Sequence, residues 1–287
     1  MSTTRSGLAT GTVGATVRRI APYAGVAVII LYCLAPFYWM VVSSFRRTSD
    51  IFDLSALPSP WSLENYRAVF SGDNEFGRAL LNSLLVAGVT TAATIVVATL
   101  AAYALARLEF RFKNAVLAVV IATSMFPGIS LLVPLLKLFT DIGWINTYQS
   151  MIVPNLSFAL PLAIWYLTTF FRQLPYELEE AARVDGCTPG QAFRKVILPI
   201  AVPGVFTTAI IVFVVAWNEF IIALTMVNDP STQPVTVRIS QFVGVAAHDS
   251  PFGTRMAAGV IATVPLVIAV LMFQRRIVAG LTSGGVK

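Results

Sequence analysis

The sequence EAARVDG at residues 180–186, followed after nine residues by VILP at residues 196–199, decides how this chain is interpreted. It is a polar island in a mostly apolar chain. Pro175 suits the first turn of a helix, where its missing N–H costs no hydrogen bond. Three of the five residues after it are glutamates, which the helix dipole favours near an N-terminus.

The end of this helix and the start of another are also encoded. Gly186 follows the last expected helical residue, where a positive φ ends a helix at low cost. Thr188 and Gln191 have the spacing of a capping box. The stretch therefore predicts a helix, a glycine turn and a second helix that leads into an apolar segment at Pro199.

Composition places the chain in the membrane. It has 287 residues, of which 56% are hydrophobic and 12% charged, against about 25% charged in soluble domains. The formal net charge of +6 fits basic cytoplasmic loops better than nucleic-acid binding. Cys33 lies in an apolar segment and Cys187 in the polar one, so no disulfide framework is implied.

Six apolar segments are long enough to cross about 30 Å of hydrocarbon. We predict an all-α integral membrane protein with spans at about 20–45, 82–106, 115–137, 149–171, 202–227 and 256–274. Most of the 20 Lys and Arg residues lie inside if the N-terminus is cytoplasmic, and the short loop 107–113 is basic. Both termini are then cytoplasmic in a multi-pass protein of the cell inner membrane. The expected parts are a cytoplasmic N-terminal segment at 1–19, a six-span transmembrane domain at 20–275 with a polar loop at about 172–199, and a cytoplasmic C-terminal tail at 276–287.

The two long outer loops differ in their patterns. In loop 46–81, Ser62 suits an N-cap, and Leu63, Tyr66 and Phe70 share a face of the helix that follows. That helix either lies on the outer membrane surface or covers the bundle. Loop 228–255 contains three prolines and many polar residues, which predicts another outward excursion.

The polar stretch resembles the EAA signature of ABC-importer permeases, which reads Glu-Ala-Ala, three residues, Gly, nine residues, Ile-x-Leu-Pro, with Val196 here in the Ile place. Similarity to MalG-type permeases of maltose importers covers nearly the whole chain, and the SugB-type subunit of actinobacterial trehalose importers is the most similar group. The segments that carry it are FFRQLP at 170–175, QAFR at 191–194, PG at 203–204, NS at 82–83, AYALAR at 102–107, WNEF at 217–220 and GLTSGGVK at 280–287.

The resemblance implies a permease subunit of a binding-protein-dependent sugar importer. Its implied partners are a second homologous permease, two copies of an ATPase subunit that binds ATP and Mg, and an extracytoplasmic sugar-binding lipoprotein. The EAA segment would be a cytoplasmic coupling helix that docks into the ATPase. Without the resemblance, the residues of this segment fit an ordinary amphipathic cytoplasmic loop helix equally well. The residues expected at the ATPase are Leu178, Glu180, Ala181, Ala182, Asp185 and Gly186. The two alanines would give a bare surface for close approach, and the side chains of Leu178 and Val184 would fill a groove of the partner.

Glu219 is the only carboxylate inside a predicted span, where a charge is costly and usually faces a cavity, a partner or a pathway. It either makes a polar contact on the sugar path or at the outer gate, or makes an interhelical hydrogen bond that locks the two permeases together. Asn82, Asn155, Ser157, Phe158 and Asn218 are weaker candidates for the path. Pro127, Gly128 and Pro134 interrupt the third span, and Pro154 and Pro161 interrupt the fourth. The resulting kinks either let the helices move or only fix their static shape.

Several chemistries lack their motifs. The chain has no Gly-Lys dipeptide and so no phosphate-binding loop, and it has none of the nucleophile or metal motifs of membrane hydrolases. His248 is the single histidine, so no metal site is predicted. A secondary transporter or channel would show acid and base relays or paired repeats; neither is visible.

Overall fold

The chain forms a helical bundle, as predicted. The computed structural model describes residues 10–50, 53–71, 74–242 and 251–282, with side chains described between 21 and 272. No strand occurs in these ranges. The helices are α1 Thr10–Ser44, α2 Glu64–Val69, α3 Phe76–Arg107, α4 Lys113–Ser124, α5 Leu132–Asp141, α6 Gln149–Gln173, α7 Glu177–Val184, α8 Pro189–Ala192, α9 Leu198–Trp217, α10 Ile221–Met226, α11 Val235–Ser240 and α12 Phe252–Thr282.

Four of the six predicted spans are long apolar helices at the predicted places. These are the first, second, fourth and sixth, which correspond to Ala21–Ser44, Phe76–Arg107, Gln149–Gln173 and Phe252–Met272. The second begins earlier than expected, because its first turn carries Gly77 and Arg78, which the apolar run does not include. The bundle thus has the long helices that a polytopic membrane protein needs.

The third predicted span is not one straight helix. Lys113–Ser124 and Gly128–Asp141 meet at an angle of 82°. Pro127 stands at the break and donates no N–H, and a short 3₁₀ turn follows it at Gly128–Leu131. Pro134 falls in the first turn of α5, where it costs no helical hydrogen bond.

The fifth predicted span, 202–227, also needs correction. The long helical stretch Pro189–Trp217 begins in the second helix of the polar motif and ends at Trp217, and α10 is a separate helix. The chain then turns back, and α11 packs against α3. Val227, Val235 and Val237 are buried. The first part of the predicted excursion 228–255 is therefore the second arm of a helical hairpin; residues 243–250, which include His248, lie outside the described residues.

Polar side chains fasten this hairpin, defined here as residues 221–240. The Asn146 side-chain oxygen accepts hydrogen bonds from the backbone N–H groups of Asn228 and Asp229. The Asp229 carboxylate accepts hydrogen bonds from the backbone N–H and the hydroxyl of Ser231, and these bonds lower the pKa of Asp229. The Ser83 hydroxyl accepts from the Val235 N–H at 2.8 Å. The turn is thus tied to α3 and to the segment before α6.

The helix in loop 46–81 covers the bundle. Helix α2 packs on α12, with Asn65 and Val69 buried. The Asn65 amide donates to the carbonyls of Ser44 and Arg46. Leu63 and Phe70 remain exposed while Tyr66 turns inward, so the three residues do not form one membrane-facing surface. Ser62 accepts from the Glu64 N–H, but the N-cap position of α2 is Leu63, which makes no side-chain capping bond, so the prediction of Ser62 as the N-cap was wrong by one residue.

Three apolar clusters order the bundle. One joins α3, α6 and α9 to the polar motif, and the other two lie around the first turns of α3 and the hairpin. Helix α3 therefore spans the molecule from the hairpin to the motif. We call the end that contains α7 the motif end.

Candidate functional site

The glycine turn after α7 has the expected geometry. Gly186 has a φ of +85°. Its N–H donates to the Arg183 carbonyl at 3.0 Å, and the Cys187 N–H donates to the Ala182 carbonyl at 2.9 Å. These two bonds form a Schellman motif, which satisfies carbonyls that would otherwise lack partners.

The second helix of the motif starts with the predicted capping box. Thr188 accepts from the Gln191 N–H, and the Gln191 side chain accepts from the Thr188 N–H. Pro189 occupies the first helical position. A π-helical stretch, Phe193–Ile197, then leads without interruption into α9. Pi-helical turns cluster at functional sites, and this one joins the motif to a membrane span.

Helix α7 has two distinct faces. Its outward face carries Glu177, Glu180, Ala181 and Val184, which are spaced as one helical stripe. Val184 is 87% exposed, so this apolar side chain lies almost fully in solvent in the isolated subunit. This stripe, together with exposed Asp185, offers another protein a small apolar contact flanked by carboxylates.

The inward face corrects part of the expected surface. Ala182 is buried, and Leu178 packs against the apolar cluster of α3, α6 and α9. Of the two alanines, only Ala181 is bare, and of the two expected plugs, only Val184 projects outward. The contact of these residues with an ATPase stays a prediction.

Sequence reasoning missed the charged contact beneath α7. Glu179 is 1% exposed; its Oε1 lies 3.4 Å from Arg107 Nε, and its Oε2 lies 3.9 Å from Arg183 Nη2. Arg107 also donates to the Leu174 carbonyl at 2.8 Å and lies over the Tyr176 ring. The sequence signal that could have indicated this contact was Arg107, the arginine at the end of the second span.

Two of the predicted path residues share a cleft between α3, α6 and the hairpin. Glu219 and Asn155 both line it, together with Ser83, which sequence reasoning had not named as a site residue. Asn155 donates to the Met151 carbonyl one turn earlier. The cleft is narrow in this structure, and it brings a carboxylate, an amide and a hydroxyl to one place.

Within that cleft, Glu219 caps a helix. Its two carboxylate oxygens accept from the N–H groups of Ile222 at 2.7 Å and Ala223 at 3.1 Å. These N–H groups lie in the first turn of α10, where they have no helical acceptor. The Thr236 hydroxyl donates to the Glu219 backbone carbonyl. The structure therefore gives Glu219 a capping role inside its own chain, and its contact with sugar or with a second permease stays a prediction.

The remaining candidates lie apart from this cleft. Asn82 is buried; its amide nitrogen donates to the carbonyls of Ser231 and Gln233, and its oxygen accepts from the Tyr148 hydroxyl. Ser157 and Asn218 are exposed and donate to carbonyls of their own helices. Phe158 lies against Gly128 at the bend of the third span. Over the described residues, no group of three or more His, Cys, Asp or Glu could bind a metal ion.

The fold and the motif define the class of protein: a permease subunit of an ABC importer, with ATP hydrolysis assigned to a separate subunit. The chain belongs to the family described as binding-protein-dependent transport system inner membrane component, whose model matches residues 94–283. These findings confirm the family inferred from the EAA stretch.

Two relatives show how closely the chain follows known permeases. It is 44% identical to the trehalose transport system permease protein SugB of Mycobacterium tuberculosis (strain CDC 1551 / Oshkosh), over 90% of this chain and 94% of that protein. It is 40% identical to the trehalose/maltose transport system permease protein MalG of Thermococcus litoralis, over 94% of this chain and 97% of that protein.

A solved structure shares the fold. The chain matches a bacterial ABC transporter involved in the import of the acidic polysaccharide alginate, with a TM-score of 0.75. The match covers 95% of this chain and 99% of the other, at 18% sequence identity. The likeness is therefore one of architecture.

Proposed function

We propose that this chain is one of two homologous permeases that enclose the path of an ATP-driven sugar importer in the cytoplasmic membrane. Two copies of an ATPase subunit bind ATP and Mg at the motif end, and an extracytoplasmic binding protein delivers the sugar at the other. Both termini are cytoplasmic. Trehalose or a related disaccharide is the proposed substrate, because the relatives described above carry those names.

The outward stripe of α7 is the observation that supports coupling. Val184 supplies an apolar contact, and Glu180 and Asp185 supply carboxylates for basic groups of a partner. The Schellman turn and the capping box fix the orientation of α7 relative to α9. A movement of the docked helix is therefore passed to a membrane span by a rigid connection.

The mechanism follows from that connection. Closure of the ATPase dimer draws the α7 helices of the two permeases together, and the spans turn from inward-facing to outward-facing around a central cavity. Hydrolysis resets the arrangement and releases sugar inside. The chain contributes the path, the coupling surface and the rigid connection to the spans, and the ATPase supplies the energy.

A transport assay tests the substrate. A strain that lacks the gene is supplied with it on a plasmid and given a panel of labelled disaccharides, including trehalose and maltose. Restored uptake of trehalose that depends on ATP supports the proposal. Restored uptake of an unrelated solute, with none of the sugars, contradicts it.

A binding assay tests the docking face. Glu180→Ala is compared with Glu109→Ala, which removes an exposed carboxylate from the loop after α3. We expect the first variant to retain less ATPase subunit on purification and the second to retain the normal amount. Equal retention in both would contradict docking through the outward stripe.

A further inference from the structure

The last turns of α3 contact the motif at α7 and at the start of the π-helical stretch, although α3 lies far from both in sequence. The Tyr103 ring lies 4.4 Å, centroid to centroid, from that of Phe193, which begins the π-helical stretch. It also meets Phe171 near the end of α6. One turn later, Arg107 reaches the Leu174 carbonyl and Glu179 on α7. Helix α3 is thus joined to the motif by side chains alone, whereas α6 and α9 are joined to it by the backbone.

The Arg107–Glu179 contact is the charged part of this junction. Their side chains are 5% and 1% exposed. A buried carboxylate is very costly unless an opposite charge lies close to it. Arg107 Nε and Glu179 Oε1 have no hydrogen-bond partner, so at 3.4 Å these atoms interact by charge. Such attraction depends weakly on angle, and it can persist while α7 tilts.

The contrast with a neighbouring pair is informative. Lys113 Nζ lies 2.7 Å from Glu109 Oε1, but that glutamate side chain is 86% exposed and both residues lie in one short segment. Exposed pairs of this kind contribute little. The buried pair instead joins two elements, because Arg107 closes α3 and Glu179 lies in α7, 72 residues further along the chain.

We propose that Arg107 and Glu179 are positioning residues that transmit movement of α7 to α3, so that the second span turns with the fifth during the transport cycle. This inference rests on the proposed function, because it needs α7 to be the element that the ATPase moves. The Tyr103 ring supplies the apolar contact of the same junction, its hydroxyl interacts with the Glu179 carboxylate, and the ion pair keeps α3 attached to α7.

The decisive variant removes both charges at nearly constant size. Arg107→Met combined with Glu179→Gln leaves no unpaired buried charge, whereas each single change does. The matched control is Lys113→Met with Glu109→Gln. Complete complexes are reconstituted in lipid vesicles with the binding protein, and complex yield, ATP hydrolysis and labelled sugar uptake are measured together.

We expect the double variant at Arg107 and Glu179 to assemble and to hydrolyse ATP in response to the binding protein. Its uptake per ATP hydrolysed should fall at least fivefold, while the control pair keeps the wild-type ratio. A wild-type ratio in the double variant would show that the pair only stabilises the fold, and would overturn the inference.

A second variant keeps the inference testable if the double variant assembles poorly. Glu179→Asp keeps the charge and withdraws it by one methylene, so it should assemble and show a ratio between those of the wild type and the double variant. An unchanged ratio there also overturns the inference. Failure of the proposed function looks different, because the wild-type complex itself would then show neither sugar uptake nor binding-protein-stimulated hydrolysis.

Discussion

Substitution of Gly186 tests the geometry of the motif most directly. The residue has a φ of +85°, a conformation that costs a residue with a Cβ roughly 1–2 kcal/mol. No atom lies within 4 Å of a Cβ added there, so Gly186→Ala introduces backbone strain without a clash. We expect that strain to shift the local equilibrium of the turn by a factor of roughly 5–30.

Gly186→Pro should have a larger effect. Proline fixes φ near −65°, which has the wrong sign for this turn. It also removes the N–H that donates to the Arg183 carbonyl, a loss of about 0.5–1.5 kcal/mol. The Schellman turn cannot form, and α7 loses its orientation relative to α8. Transport should be abolished while the subunit still inserts in the membrane.

The assay measures membrane insertion, retention of the ATPase subunit and sugar uptake for each variant. Gly190→Ala is the matched control, because Gly190 lies in α8 with a negative φ and has no atom near an added Cβ. Alanine there should be tolerated or slightly stabilising, by up to about 1 kcal/mol. Normal uptake in Gly186→Pro would refute the assignment of a coupling turn to this segment.

Three further changes are checked by the thermal unfolding midpoint of the purified complex. Gly204→Ala should lower stability by about 1–3 kcal/mol, because a Cβ would lie 2.7 Å from the Phe170 ring; Gly88→Ala, with open space at its Cβ, should change it little. Glu219→Ala should cost about 0.5–2 kcal/mol through the lost cap of α10, and Glu219→Gln less; equal midpoints for wild type and Glu219→Ala would contradict the capping role. Asn82→Ala should cost about 1–3 kcal/mol by leaving buried carbonyls unpaired, and an unchanged midpoint would contradict that account.

Much of the fold was accessible from the sequence, because it depends on length and local chemistry. Apolar runs long enough for the membrane gave the positions of α1, α3, α6 and α12. The turn at Gly186 and the box at Thr188 were predictable because each is a backbone requirement met by residues at fixed spacing. Such features do not depend on where distant elements lie.

The bend and the hairpin were not accessible in the same way. A hydropathy window over 202–227 registers apolar residues and does not register that the helix stops at Trp217. Asn218 and Glu219 interrupt the run, but polar residues also occur in continuous membrane helices. The return of 231–240 into the bundle depends on hydrogen bonds from Asn82 and to Ser83, which are more than a hundred residues away. Likewise, proline signalled a kink in the third span but not its angle.

The adjacent residues Glu179 and Glu180 of α7 also could not be told apart from the sequence alone. In the structure, one of them faces the bundle and the other faces outward. Successive residues on a helix point about 100° apart, so Glu179 and Glu180 cannot share a face. Leu178 and Ala182 pack inward on the same side of α7 as Glu179, which there meets Arg107, and nothing within the EAA stretch specifies Arg107. Glu179 binds α7 to the rest of the chain, whereas Glu180 stays free beside Val184. The coupling role proposed for α7 requires both kinds of contact, because a surface that only docked would move without turning the spans.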